Sequence, residues 1–222
     1  MVGVPSEAEP GAAAMLARVL TDATAVSDTD DDLRVRIVDA ARDQFSRVGI
    51  KHSTMDDVAR RANVARITIY RRFPTRDALV EAVLLREFRS YFDQFLIDIR
   101  DARTVADRVV VGFVSSLRAM RRNPVMSGML TAEPDILSSS MIADDGQMVA
   151  VVRRFVAGQL RREQAAGHVA AGVDVDVVAE MMVRVTASFL AIPSTVIDVD
   201  DDAQLSEIAR WMLVPLLDER PA

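Results

Sequence analysis

From Leu33 to Leu217 the apolar residues return at intervals of three and four, and nowhere do they alternate over a strand's length. That spacing lines one face of successive helices and leaves no material for a sheet. The brief alternation Ile197-Asp198-Val199-Asp200 is too short and too acidic to pair. The expected fold class is all-α. With 222 residues, 50% of them hydrophobic, the chain can bury a sizeable core.

Local signals set the helix ends. Leu33, Ile37, Ala41, Phe45 and Val48 share one face of a first helix that Gly49 stops. Thr54, with Asp57 three residues on, opens a second in the manner of a capping box, and Met55, Val58, Ala59 and Ala62 point inward. Asn63 tolerates the left-handed backbone that a tight helix–helix turn needs. A third, short helix runs from Val64 to Arg72 and ends at Phe73-Pro74, because a residue before proline resists the helical region. Three helices, the last two short and joined by one turn, make a helix-turn-helix, whose last helix enters the major groove of DNA. With Val64, Ile69 and Phe73 facing the helices beneath, Arg66, Ile67, Thr68, Tyr70 and Arg71 are left outward. Arginine bridges to guanine or phosphate, the hydroxyls of Thr68 and Tyr70 reach phosphate, and Ile67 meets a thymine methyl. Thr54 serves both as cap and as phosphate donor, and Arg76 stands at the start of a fourth helix, where free amides attract an anion.

The net charge of −6 at first argues against nucleic acid. Its distribution reverses the argument. Residues 32–80 hold 11 Arg and Lys against 6 Asp and Glu, and the remainder holds 16 against 27. A basic module on an acidic body suits a chain that meets phosphate at one end. Lys51 is the only lysine, so the cationic contacts fall to arginine, which binds phosphate and guanine bidentately.

The residues Ala40-Ala41, Phe45, Gly49, Thr54, Val58-Ala59, Ala62, Val64, Thr68-Ile69-Tyr70, Phe73-Pro74 and Ala78-Leu79 follow one another in a dense, ordered pattern. In them the stretch from Arg36 to Leu79 resembles the TetR (tetracycline-repressor) family of bacterial regulators. Two departures stand out. Asn63 occupies a turn position where the family usually has glycine. Ala65, Arg66 and Ile67 replace a Ser or Thr cap, a basic residue and a small one; losing the cap costs about 1 kcal/mol locally. The bulk of Ile67 removes any basis for assuming an operator sequence.

The resemblance implies that the helices after the fourth form a ligand pocket and a dimer interface. Thr75 caps the fourth helix, with Leu84, Phe88, Tyr91, Phe92, Phe95 and Ile99 as its stripe. A fifth spans Thr104 to Arg121. Asn123-Pro124 opens a sixth, which breaks at Glu133-Pro134, with a further turn or two over Asp135 to Met141. Asp144 and Gln147 open a helix carrying Met148, Val151, Val152, Phe155, Val156 and Leu160, ended by Gly167. Asp174 opens the next and Pro193 closes it. The last runs from Asp202 to Leu217 with Leu205, Ile208, Met212 and Leu216 in register.

Eleven methionines are many for this length, and methionine adapts to varied apolar shapes. Phe92, Phe95, Phe113, Met126, Met129, Met148, Phe155, Met181 and Phe189 are the residues expected to line an effector pocket. The helix from Asp174 to Ile192 is apolar nearly all round, which calls for burial on both sides. Val178, Met182, Val185, Trp211, Met212 and Leu216 are therefore the expected homodimer contacts. Arg118, Asn123, Gln147, Arg153, Gln159 and Arg184 are polar groups able to anchor a ligand head; an arginine turned inward would favour an acidic ligand.

Catalysis is not expected. There is no cysteine, the two histidines His52 and His168 lie in separate loops, and no cluster has metal-ligand spacing. No cofactor is implied. No run of about 18 apolar residues predicts a membrane span, and no secretion signal is visible, so a cytoplasmic location is expected. The domains read as a tail over 1–30, expected to be disordered, a helix-turn-helix domain over 31–76 and a helical effector-binding and dimerisation domain over 77–220. The expected function is a ligand-responsive transcription regulator, a repressor that binds a near-palindromic double-stranded operator as a homodimer and is released by a small apolar molecule. The alternatives are a DNA-binding regulator without a ligand, and a helical binding protein with a vestigial head.

Overall fold

The structure, a computed structural model, describes residues 31–131 and 147–218. The expectations for the 1–30 tail, the break at Glu133-Pro134, the turns over 135–141 and the helix start at Asp144 lie outside the described residues, as do the side chains of Gln147 and Met148. Among the described residues every regular element is a helix. They run α1 (Asp31–Val48), α2 (Met55–Arg61), α3 (Arg66–Arg72), α4 (Arg76–Arg100), α5 (Val105–Arg122), α6 (Pro124–Thr131), α7 (Gln147–Ala165), α8 (Val175–Ala191) and α9 (Asp202–Met212), followed by a 3-10 turn over Val214–Leu217. None of these is long and apolar enough to cross a membrane.

The helix starts obey the cap chemistry of the sequence. Thr54, Thr75 and Thr104 each accept a backbone N–H from three residues on, and Asp174 and Asp201 do the same for α8 and α9. At Thr54 the box is complete, with the Asp57 carboxylate receiving the Thr54 backbone N–H. Asn123 closes the start of α6, its side-chain oxygen accepting from the amides of Val125 and Met126. Gly49 (φ 83°) and Gly167 (φ 78°) take the left-handed conformation after α1 and α7, and Asn63 (φ 54°) does so in the turn between α2 and α3.

Two expectations are corrected at helix ends. Val48 is 45% exposed, since α1 stops there and the chain swings away at Gly49 before the side chain is covered. The last helix ends at Met212 instead of Leu217. Pro215 has no N–H to give to the Trp211 carbonyl, so the chain tightens, with the Leu216 amide on the Leu213 carbonyl at 3.2 Å.

The head packs Ile37, Ala41, Phe45, Val58, Ile69, Phe73 and Val83 against one another, all nearly inaccessible. Val125, Met126 and Met129 of α6 belong to this same cluster. The body has its own core, built by α5, α7, α8, α9 and the 3-10 turn around Leu117, Ala157, Ala179, Leu205 and Leu213. A buried carboxylate ties head to body. Glu87 on α4, only 6% exposed, receives Arg42 Nε of α1 at 2.7 Å through one oxygen and the Asn123 side-chain amide through the other. Arg42 thus meets, through one side chain, the residue that caps α6.

Candidate functional site

α3 is short because its ends are fixed from outside. Ala65 caps it without any side-chain hydrogen bond, and Phe73 ends it in extended backbone before Pro74. Ile69 is fully buried and Val64 and Phe73 anchor its flanks. The opposite face carries Arg66, Ile67, Tyr70 and Arg71, all exposed, with Thr68 half-buried at its edge. Ile67 is 76% exposed, the most exposed large apolar residue of the head. Arg66 lies over the Tyr70 ring, 5.6 Å from its centroid, and its Nε is 3.0 Å from a carboxylate oxygen of Asp56 on α2. Tyr70 and Asp56 hold the arginine's pKa above its ordinary value, and the guanidinium is charged in any case.

Most of the other cations of the head are structural. Arg34 stacks on Phe73, Arg36 donates to the Ala62 carbonyl, and Arg61 reaches Gln44 and Asp43. Arg76, expected to face DNA, turns back instead: it donates to the carbonyls of Ser53 and Ile50. The loop after α1 leaves the Ser53 carbonyl without a helical partner and the Ile50 carbonyl with the Ser53 amide at 3.2 Å, and the guanidinium adds a donor to each. Thr54 is exposed, yet its hydroxyl is committed to Asp57, donating at 2.5 Å and accepting the Asp57 amide at 3.2 Å. Those bonds, with Arg60 added, hold the Asp57 carboxyl below the usual carboxylate range.

Between α4, α5, α6, α7 and α8 lies a cavity of about 270 Å³ with a mostly apolar wall. Of the residues expected there, Phe92, Phe95, Phe113, Met126, Met129 and Phe155 line it. The rings of Phe92 and Phe95 both meet Phe155, at 5.2 and 5.9 Å between centroids. Met181 does not line it. It is 40% exposed, while Met182, one residue and about 100° further round α8, fills that place. Phe189 stands behind the wall, edge-on to Phe113 at 5.5 Å. The same phase corrects two expected dimer contacts: Val178 and Met182 are buried in their own subunit's core. Val185, Met212 and Leu216 pack partly against that core, and Trp211 alone of the six is open, at 80%. Val177 and Met181 are exposed large apolar residues of α8, and Ile192, just past its end, is exposed too.

Of the polar groups considered as ligand anchors Gln159 lines the cavity, whereas sequence reasoning missed the other polar members of its wall. Tyr91 and Ser116 hydrogen-bond to each other at 2.8 Å, and Arg108 of α5 pairs with Glu163 of α7. The signal was Ser116 and Gly112 breaking an apolar stripe of α5 one turn apart. Gly112 lets α4 approach, since a Cβ there would lie 3.2 Å from the Phe95 ring. The arginines considered as ligand anchors are paired elsewhere: Arg118 with Asp202, Arg153 with Asp176 and Glu180, Arg184 with Glu180.

Comparison with known proteins agrees with this arrangement. A profile described as bacterial regulatory proteins, tetR family, matches residues 37–83. The HTH-type transcriptional repressor KstR of Mycobacterium tuberculosis is 34% identical over 133 residues, 55% of this chain and 56% of that protein. An HTH-type transcriptional regulator of the same organism, Rv1255c, is 29% identical over 121 residues, 54% of this chain and 60% of the other. The chain thus spans about 60% or less of the length of these two curated relatives. The fatty acid degradation regulator FadR of Bacillus halodurans shares the fold at a TM-score of 0.64 and 14% identity, covering 88% of this chain and 100% of that one. The transcriptional regulator FadR of Bacillus subtilis, solved in complex with stearoyl-CoA, aligns at 0.59 and 16% identity over 83% of this chain and 97% of that one. Residues 37–83 thus match the helix-turn-helix head of the tetR family of bacterial regulatory proteins, and the helical body shares the fold of solved regulators.

Proposed function

We propose that the chain is a ligand-responsive repressor that binds a near-palindromic operator as a homodimer in the cytoplasm and lets go when a small apolar molecule enters the body. Residues 31–76 act as the DNA-binding domain and 77–220 as the effector-binding and dimerisation domain. The observation that carries the reading is the outer face of α3: Arg66, Ile67, Tyr70 and Arg71 stand exposed together while Ile69 alone is buried from that helix. A groove-reading helix needs that division. Arg66 and Arg71 reach base edges or phosphate, Tyr70 a phosphate, and Ile67 a thymine methyl.

The exposed apolar residues Val177 and Met181 of α8, Ile192 just past its end and Trp211 of α9 support pairing of two subunits. Pairing would set two α3 helices roughly 34–36 Å apart, one DNA turn. The apolar cavity, and a fold relative solved with an acyl-CoA, support an apolar effector. Met126 and Met129 support the coupling, because they line the cavity and also belong to the head's core. A ligand that displaces them alters what the head rests on, and its preference for one of the two states sets the release.

Selection of bound fragments from genomic DNA, followed by mobility shift, tests this reading. Arg66→Ala and Tyr70→Ala are each expected to weaken the specific complex about tenfold or more. Unchanged affinity in both would remove α3 as the reading helix. Sedimentation tests the pairing: Met181→Arg is expected to convert a dimer to a monomer, and a wild-type monomer would refute it.

A further inference from the structure

The polar groups of the cavity form a one-way chain of protons. Ser116 Oγ lies 2.6 Å from the carbonyl oxygen of Gly112, one turn back on α5. An oxygen that close to a carbonyl oxygen holds its proton between them, so Ser116 donates there. A hydroxyl has one proton to give. The 2.8 Å contact between Tyr91 Oη and Ser116 Oγ is therefore made with the tyrosine's proton. Thr186 on the α8 wall commits its proton in the same way, to the Met182 carbonyl at 2.9 Å. What the Tyr91–Ser116 pair has left to offer is the lone pairs of Tyr91 Oη.

Charge in the wall is compensated. Among the described lining residues only Arg108 and Glu163 are charged, and they pair with each other. The second Glu163 oxygen is 2.9 Å from His168 Nδ1. Gln159, one turn before Glu163 on α7, adds an amide at that charged end. Burial pushes the Tyr91 phenol up to about 12, so it stays neutral. A carboxylate head at Tyr91 would meet lone pairs and no cation, and a carbonyl there would find no donor.

We infer that the effector is a neutral, largely apolar alcohol whose hydroxyl donates to Tyr91 Oη. The inference rests on the ligand-responsive reading above and specifies its ligand class. At about 270 Å³ the cavity far exceeds the roughly 10–15 Å³ that one water needs, so an extended or ringed skeleton fits around that single hydroxyl.

The purified full chain is titrated calorimetrically with 1-decanol, 2-decanone and decanoate, and each probe is then added to the operator complex. The alcohol is expected to bind about five- to tenfold more tightly than the ketone, with decanoate weakest. Tyr91→Phe keeps the ring and should bring the alcohol down to the ketone's affinity. Ser116→Ala should narrow the preference, because it frees the Tyr91 proton to donate to a carbonyl, while the alcohol can still either donate to the phenol or accept from it. Decanoate binding as tightly as 1-decanol, or an alcohol-to-ketone ratio unmoved in both folded variants, overturns the inference. If the ketone or decanoate binds best and releases DNA, the alcohol assignment alone falls. If none of the three binds, or binding leaves the operator complex intact, the ligand-responsive reading falls with it.

Discussion

The head and the body put similar side chains to opposite uses. In the head, Phe45, Val58, Ile69 and Val83 fill their space and leave almost nothing accessible. In the body, Phe92, Phe95, Phe113 and Phe155 stand around an opening. A filled core fixes one geometry, as a surface that must match a rigid duplex requires. A wall around a void costs stability but leaves room for contents to alter the packing. The difference teaches where change can originate: in the body, with α6 as the element that belongs to both.

The sharpest way to break this contrast is deletion of one ring on each side. Phe45→Ala in the head should cost about 3–5 kcal/mol in denaturant unfolding, while Phe155→Ala, whose ring already borders the opening, should cost under about 2 kcal/mol. Equal losses would mean the body is as tightly filled as the head. Next in size is the link between them. Glu87→Gln weakens the bond to Arg42 and should cost about 1–3 kcal/mol, and it should also blunt release of operator by ligand. A stability loss with full ligand response would leave Glu87 a purely structural brace. Gly112→Ala sharpens the contrast differently. The added methyl gains helix propensity, by about 1 kcal/mol, but meets the Phe95 ring, which borders the cavity. Thermal stability should hold while ligand affinity falls several-fold and DNA affinity stays.

The smallest effect is on pH. Hydrogen bonds from Thr54 lower the Asp57 carboxyl, and Arg47 lowers that of Asp43. A lowered folded-state pKa gives stability that is present above the ordinary value near 3.8 and lost as pH falls below it. Asp57→Asn should therefore flatten the head's loss of melting temperature below about pH 4, and an unaltered acid limb would show the cap contributes nothing there.

Local chemistry made the head legible in the sequence. Thr54, Asp57 and Asn63 each act within a few residues of themselves, so spacing alone places them. Arg76 was misplaced because its partners, the Ile50 and Ser53 carbonyls, are set by a loop more than twenty residues back. Met181 and Met182 could not be told apart by composition, since α8 is apolar on both sides and only tertiary packing chooses its phase. Tyr91 was visible as part of an apolar stripe. That its hydroxyl finds Ser116 depends on how α4 crosses α5 at Gly112, which no short-range pattern encodes.

In the proposed complex Arg66 would arrive at a duplex already engaged by Asp56. A lone phosphate on random sequence would compete with that carboxylate for one charge-assisted bond, whereas a guanine edge would take both guanidinium nitrogens. Asp56→Asn is thus expected to lengthen dwell time on random DNA more than on the operator, a few-fold at most because the pair is exposed. The carboxylate would then act as a brake on idle binding, quickening the search for the one site that matters.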